Sequence, residues 1–180
     1  MANITKLEDK DSKNIEKVVI FTIDAELYGL PVTDILEIVE ETPVTKIPNS
    51  PDFIEGLINL RGKIVTLVDI EKRFNLERIN SRPRNRKFII VESADSPFGI
   101  AVDKIIEIKS IPMGALQTPP EVVKSKLGAE FIRGIYIDTP EIKNEAGDTL
   151  MTIGKYNENE KTILVLNFRD ILKFKEVTKK

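Results

Sequence analysis

With 180 residues, the chain is long enough for one ordinary domain or for two small domains that share an interface. Its composition, 41% hydrophobic and 31% charged residues, is typical of a soluble globular protein, and the formal net charge of −2 favours no class of partner. Cysteine and histidine are both absent, so disulfides, thiolate nucleophiles, imidazole bases and the usual zinc sites are excluded.

The N-terminal segment, residues 1–17, is polar and charged, and we expect it to be a flexible arm. It lacks the apolar core of a secretory signal, and no apolar run in the chain approaches the roughly 20 residues that cross a bilayer. The sequence therefore predicts a cytoplasmic protein without direct membrane insertion. Residues 175–180 are expected to form a short tail.

Short β-rich segments separated by turn residues follow the arm. Strands are predicted over 18–23 and 27–30 around a turn at 24–26, and a third strand over 35–39 follows a bend at Thr33-Asp34. In a regular third strand, alternate side chains point to opposite faces. We assign Ile35, Glu37 and Val39 to the outer face of this strand. That face either packs on a neighbouring domain or binds a partner protein.

Helix signals come next, at Ser50, Pro51 and Gly56. Serine suits an N-cap, proline the first helical position, and glycine the end of a short helical turn. Strands are then predicted over 57–60 and 63–68.

A two-residue turn at Arg61-Gly62 joins these strands into a hairpin. Turn chemistry favours Asn, Asp or Gly at the first position, so backbone geometry alone does not explain the charge of Arg61. Arg61 is either a solvated surface residue or binds a carboxylate of a partner protein. Glu37 is an alternative ion-pair partner within the chain. Asp69 is the predicted N-cap of a helix that continues through Leu76.

The second half of the sequence repeats the first. Residues 98–109 align with residues 28–39 at a constant offset of 70, with identical residues at five of twelve positions: Gly29/Gly99, Val32/Val102, Ile35/Ile105, Glu37/Glu107 and Ile38/Ile108. Phe53-Ile-Glu-Gly returns as Phe131-Ile-Arg-Gly, which ends at Gly134. Leu67-Val-Asp-Ile returns as Val165-Leu-Asn-Phe, with Asn167 as the matching N-cap.

Each half therefore has several short strands and one short helix, which predicts a small β-barrel per half. We expect an all-β fold of two pseudo-symmetric barrels packed side by side, because barrels of about 70 residues are marginal alone. The predicted single domain spans 18–174, with a first barrel over about 18–87 and a second over about 88–174. The second half carries an insertion over 138–159, with turns expected near Gly147-Asp148 and over 157–159.

Basic residues are concentrated in the segment from Glu71 to Phe88, which holds seven lysines and arginines against two glutamates. Three interpretations stay open: a solvated loop between the barrels, a contact with an acidic protein surface, and a site for single-stranded nucleic acid over 72–87. The last would normally interleave aromatic residues, and only Phe74 and Phe88 flank the run. Nucleic acid is therefore not expected as a partner.

Carboxylate-only catalysis and an all-oxygen magnesium site are the chemistries that this composition leaves open. The carboxylates show no spacing that implies convergence, and the glycines do not form a phosphate-binding loop. We therefore expect no enzyme, no cofactor and no bound metal.

Several motifs resemble the CheW family, the coupling proteins of bacterial chemotaxis. The resemblance runs from Val18 to about Lys173, and its most specific part is the stretch Phe53–Ile70, which follows the family pattern Gly-Val-Ile-Asn-Leu-Arg-Gly. Further support comes from Tyr28-Gly-Leu-Pro-Val, Ile35-Leu-Glu-Ile, Ile47-Pro and Gly99-Ile-Ala-Val-Asp-Lys-Ile-Ile-Glu-Ile. The insertion over 138–159 and the arginine-rich loop over 77–87 match no family motif.

The resemblance implies two five-stranded SH3-like barrels with short helices and a non-catalytic adaptor function. Such proteins link the cytoplasmic tip of a chemoreceptor to the regulatory domain of the histidine kinase CheA at membrane-associated receptor arrays, where other CheW-like domains are further candidate partners. Family positions tied to these contacts, together with the apolar strand residues above, give the candidate binding residues Ile35, Glu37, Val39, Gly56, Asn59, Arg61, Gly62, Gly99 and Gly134.

Overall fold

The computed structural model describes residues 14–83, 85–93, 96–139, 142–143, 149–150 and 160–168. The strands are β1 Ile15–Ile23, β2 Glu26–Pro31, β3 Ile35–Glu40, β4 Ile54–Leu60, β5 Lys63–Val68, β6 Lys87–Val91, β7 Phe98–Val102, β8 Lys104–Pro112, β9 Ile132–Asp138, β10 Ile142–Lys143, β11 Thr149–Leu150 and β12 Lys161–Leu166. The helices are α1 Ile70–Arg73 and α2 Glu121–Leu127, and short 3-10 turns cover Val32–Asp34, Met113–Ala115 and Ala129–Phe131. None of the described helices is long and apolar enough to cross a membrane.

The ten long strands form two five-stranded sheets, each curled into an SH3-like barrel. The central barrel has the strand order β3-β6-β7-β5-β4, and the terminal barrel has the order β8-β1-β2-β12-β9. The predicted all-β fold of two barrels is therefore confirmed.

The predicted boundary between the barrels is wrong. Barrels over 18–87 and 88–174 would each contain one copy of the repeat, whereas β1 and β2 lie in the terminal barrel and β6 and β7 in the central one. Each repeat thus gives its first hairpin to the other barrel. The exchange is made by parallel pairing of β7 with β5 and of β2 with β12. The 3-10 turn at Val32–Asp34 directs the chain out of one barrel and into the other.

Equivalent backbone contacts in the two barrels confirm the internal repeat. Thr45 and Leu57 form a β-bridge in the central barrel, and Gln117 and Ile135 form its counterpart in the terminal barrel. In the central barrel the bridge joins the segment after edge strand β3 to β4 at the opposite edge. In the terminal barrel it joins the segment after edge strand β8 to β9. These bridges close the sheets into barrels.

The two positions predicted to cap helices are also equivalent in the structure. The Asp69 amide donates to the Phe53 carbonyl at 2.8 Å, and the Asn167 amide donates to the Phe131 carbonyl at 2.9 Å. Asp69 is confirmed as an N-cap, because its carboxylate accepts the Lys72 amide at 3.2 Å. The segment that Asn167 would cap lies outside the described residues.

Three apolar clusters hold the fold together. Each barrel has a small core of its own, and a larger one is shared between the barrels. Phe21 and Tyr28 of the terminal barrel belong to this shared core together with Phe98 of the central barrel. Because the exchanged hairpins contribute side chains to the shared core, the barrels form one cooperative unit, as expected for subdomains too small to be stable alone.

Local differences from the sequence expectations are few. Residues 51–56 form no helix: Ser50 Oγ donates to the Ile47 carbonyl instead, and the Ile54 amide donates to the Pro51 carbonyl in a turn. Gly56 lies within β4. Strand β1 begins at Ile15, so the end of the predicted arm is structured. The insertion forms the β10–β11 pair, while its predicted turns lie outside the described residues.

Candidate interaction surface

Strand β3 is an edge strand of the central barrel and has two different faces. Leu36 and Ile38 are 50% and 39% exposed, whereas Ile35 packs against the shared core and Val39 against the central-barrel core. The sequence assignment of Ile35 and Val39 to the outer face is therefore wrong. Both faces of β3 carry aliphatic residues, so alternation alone could not identify the core face.

The bulge in β3 lies at one of these exposed residues. Ile35 pairs with Val91 and Glu37 with Ile90, which leaves Leu36 as the extra residue. Bulges interrupt edge pairing and re-aim side chains. The repeat places the equivalent bulge at Ile106 of β8. Each barrel thus turns a bulky aliphatic residue outward from its edge strand.

The β4–β5 hairpin tip lies beside β3. Arg61 and Gly62 have φ angles of +53° and +84°, the pair of positive values typical of a type I′ turn. The Asn59 carboxamide oxygen accepts the Gly62 amide at 2.8 Å, which stabilises this turn. Arg61 Nη2 lies 3.0 Å from Glu37 Oε2, and the arginine side chain is 81% exposed. The intramolecular pairing with Glu37 left open by the sequence is therefore present.

The remaining predicted site residues, the glycines at 56, 99 and 134, are buried positions where backbones approach closely. A Cβ on Gly56 would lie 2.4 Å from the Thr45 carbonyl oxygen, and one on Gly134 would lie 2.9 Å from Leu116 Cβ. At Gly99 the nearest atom would be Leu67 Cδ1 at 3.0 Å. Gly56 and Gly99 lie in strands of the central barrel, which carries the hairpin and β3, whereas Gly134 lies in β9 of the terminal barrel. A side chain at any of these three positions would point into the protein and not to the surface.

Sequence reasoning missed three exposed apolar residues of this region: Leu36, Ile38 and Ile64. Ile64 lies on β5 opposite Asn59 and is 65% exposed. The sequence held a signal for this exposure. Val65 and Leu67 point inward, so alternation along β5 places Ile64, next to the turn, on the outer face. The surface of β3 and the hairpin thus combines these aliphatic side chains with the exposed Arg61–Glu37 pair. We call it the β3–hairpin surface.

Carboxylates pair with three described arginines of the loop after α1, Arg78, Arg82 and Arg86. Arg78 donates from Nε to Glu71 at 2.6 Å, and both of its terminal nitrogens donate to Asp103 at 2.9 Å. Burial alone would lower the pKa of Arg78, but these charged hydrogen bonds raise it on balance. Arg82 Nη2 lies 2.7 Å from the Asp69 carboxylate.

Arg86 is the buried member of this set. Its Nη2 lies 2.7 Å from Glu55 and 2.8 Å from Glu41, and the pKa of Arg86 is raised because these hydrogen bonds outweigh burial. Lys87 pairs with Glu40. Arg78 and Arg86 are therefore held in ion pairs and are not solvated, whereas most other described residues of the loop are exposed, as the solvated-loop interpretation requires. The nucleic-acid alternative gains no support.

No group of histidine, cysteine, aspartate or glutamate side chains within the described part of the chain could hold a metal ion. The charged clusters are ion pairs that tie loops to the barrels. What the β3–hairpin surface offers is a mixed apolar and charged contact area.

Comparisons with known proteins point to one family. A family model of the CheW-like domain matches residues 17–176. The chemotaxis protein CheW of Treponema pallidum is 33% identical over 122 residues, which cover 66% of this chain and 71% of that protein. The chemotaxis protein CheW of Helicobacter pylori is 22% identical over 166 residues, covering 92% and 87%.

A solved structure agrees with these relatives. The scaffolding protein TtCheW from Thermoanaerobacter tengcongensis matches with a TM-score of 0.70 and 30% identity, covering 90% of both chains. The double barrel and its relatives define a scaffold protein of chemotaxis signalling. The chain belongs to the CheW-like family.

Proposed function

We propose that this chain is a non-catalytic adaptor that couples chemoreceptors (methyl-accepting chemotaxis proteins) to the histidine kinase CheA. Its proposed partners are the kinase's regulatory domain, the cytoplasmic tips of the receptors, and other CheW-like domains of the same array. Family membership supports this assignment. The observation that carries it further is the β3–hairpin surface, an apolar edge strand beside an exposed arginine.

Leu36 and Ile38 would supply affinity on this surface. Full burial of an aliphatic side chain stabilises a complex by roughly 1.5–3 kcal/mol. Because both residues are already about half-buried, their further burial contributes about 2 kcal/mol together. That corresponds to roughly a 30-fold change in dissociation constant.

Arg61 and Glu37 would supply register and selectivity. The ion pair joins Nη2 of Arg61 to one carboxylate oxygen, so other guanidinium donors can bind a partner carboxylate. A partner with a cation opposite Arg61 would be rejected by like-charge repulsion. The other predicted site residues of the central barrel, Gly56, Asn59, Gly62 and Gly99, with Ile35 and Val39 behind them, would act indirectly by shaping this surface. Gly134, in β9 of the terminal barrel, stays a separate candidate.

Calorimetric titration of the full chain with the regulatory domain of the cognate CheA, and separately with a receptor-tip fragment, tests the proposal. The double variant Leu36→Ser/Ile38→Ser is expected to bind about 30-fold more weakly to at least one of them. Val122→Ser is the matched control, because Val122 is a 69% exposed aliphatic residue on α2.

If the double variant loses affinity for only one of the two proteins, the β3–hairpin surface is assigned to that partner. Wild-type affinity of the double variant for both partners would remove the surface from the proposal. Absence of binding by the wild-type chain to either partner would remove the coupling function.

A further inference from the structure

A cavity of about 320 Å³ lies where the β1–β2 turn meets α1 and the loop that follows it. Tyr28 of β2 lines it together with four carboxylate residues, Asp24, Glu26, Glu71 and Glu77, and with the exposed Ile79. Glu71 is paired with Arg78 and Arg82, so its charge is already offset. This volume lies at the lower end of the range for small-ligand pockets. None of these residues belongs to the β3–hairpin surface.

Tyr28 is the polar group at the base of the cavity. Its side chain is only 3% exposed and its ring stacks on Phe21, yet its hydroxyl has no hydrogen-bond partner among the described residues. Burial, followed by the charges of Glu26, Glu71 and Asp24, raises the pKa of Tyr28 to about 12. The hydroxyl is open to the cavity rather than sealed in the core, so a ligand that donates a hydrogen bond to it can replace water there.

Asp24 keeps a full negative charge at the rim. Its carboxylate accepts the Ile79 amide at 2.7 Å, the Asn80 amide at 3.0 Å and Asn80 Nδ2 at 2.7 Å. The Ile79 amide contributes most to a lowered pKa of Asp24. The three neutral donors hold the carboxylate in its ionised form, and the nearby Arg78 guanidinium offsets part of its charge.

Glu26 and Glu77 add charge that no ion pair offsets within the described part of the chain. Lys126 is the cation on the cavity wall. Carboxylates therefore outnumber cations around the Tyr28 hydroxyl. The carboxylates do not group closely enough to hold a metal ion, so the charge pattern suits an organic cation.

Ile79 provides an apolar side chain at the edge of the cavity. Its side chain is 89% exposed, although its backbone is fixed by the hydrogen bond to Asp24. Leu76 also lines the cavity. An aliphatic stem can lie against these two side chains while its charged end reaches Tyr28 and the carboxylates.

We propose that this cavity binds a primary ammonium or guanidinium group on an aliphatic stem, with the Tyr28 hydroxyl accepting its N–H and Asp24, Glu26 and Glu77 neutralising its charge. Such a group occurs in free diamines and in the lysine or arginine side chains of a partner. The geometry is the same for both sources.

Two-dimensional amide NMR spectra of the full chain, titrated with cadaverine, agmatine and capped lysine, test the proposal. Saturable shifts are expected at the amides of residues 24–28 and 76–80. Pentanol and hexanoate, which share the stem but lack the cation, should produce none. Tighter binding of cadaverine than of capped lysine identifies a free diamine as the ligand, and equal binding identifies a basic side chain.

Tyr28→Phe keeps the ring and removes the hydroxyl, so the cation should bind at least about tenfold more weakly. Glu26→Gln/Glu77→Gln should weaken binding further at low salt. Glu160→Gln is the control, because Glu160 is exposed and does not line the cavity. No saturable shift, or equal binding by Tyr28→Phe and the wild type, overturns the proposal, and neither result bears on kinase or receptor coupling.

Discussion

Gly56→Ala tests the close approach of backbones that supports the candidate surface. Gly56 has φ +151° and follows the bulge in β4, and a Cβ there would lie 2.4 Å from the Thr45 carbonyl oxygen and 2.6 Å from Val44 Cγ1. Thr45 is held to Leu57 by two backbone hydrogen bonds of 2.8 Å. The added methyl must therefore displace the segment that closes the central barrel.

The expected cost combines an unfavourable backbone angle with overpacking. Each amounts to about 1–3 kcal/mol, so Gly56→Ala should lower the free energy of unfolding by about 2–6 kcal/mol. For a domain of this size that corresponds to a decrease in Tm of roughly 4–24 °C. Gly62→Ala is the matched control, because a Cβ at Gly62 meets nothing within 4 Å. Its only cost is the positive φ, about 1–2 kcal/mol.

Urea unfolding followed by circular dichroism measures both variants against the wild type. The reasoning requires Gly56→Ala to be clearly the less stable of the two. A loss of less than about 0.5 kcal/mol in Gly56→Ala, or a larger loss in Gly62→Ala, would refute it.

Three further predictions follow from charged and buried groups. Arg61→Ala should change unfolding free energy by less than about 1 kcal/mol, because its ion pair is exposed, and thermal melts that show a larger loss would contradict this. Arg86→Met should cost about 3–5 kcal/mol in urea unfolding, because it strands two glutamates around a side chain that is 10% exposed. Arg133→Met, in a more exposed pair, is its control and should cost under about 1 kcal/mol. The pKa of Tyr28 is raised to about 12 in the folded protein, because burial disfavours the ionised phenolate. The resulting contribution to stability, roughly 2–3 kcal/mol, is complete below about pH 10 and is lost as pH rises through about 12. Tyr28→Phe should flatten that loss in alkaline unfolding titrations, and an unchanged slope would contradict the assignment.

Local patterns in the sequence were sufficient for several strands, the hairpin turn and the repeat. Strand β5 was predicted with its observed bounds, and the turn at Arg61-Gly62 was placed correctly. The cap at Asp69 was also correct. Such features depend on neighbours within a few residues, which is the range over which turn chemistry and side-chain alternation act.

The candidate surface was only partly predictable. Glu37 and Arg61 form the ion pair that the sequence left as an alternative, and Asn59 supports the hairpin turn. The exposed residues Leu36 and Ile38 were assigned to the wrong face. Alternation groups residues that share a face, but it names the core face only when one set is polar.

By itself, the sequence determined that two similar units of short strands build this protein and that no thiol or imidazole chemistry is available to it. Tertiary structure alone decided that each unit gives its first hairpin to the other barrel, because the parallel pairs β5–β7 and β2–β12 join strands far apart in the chain. It also decided that Arg78, Arg82 and Arg86 of the basic loop are paired, since carboxylates such as Asp103 and Glu55 come from distant elements. Pairing across such separations leaves no periodic signal, and it is settled by which arrangement buries the shared apolar core.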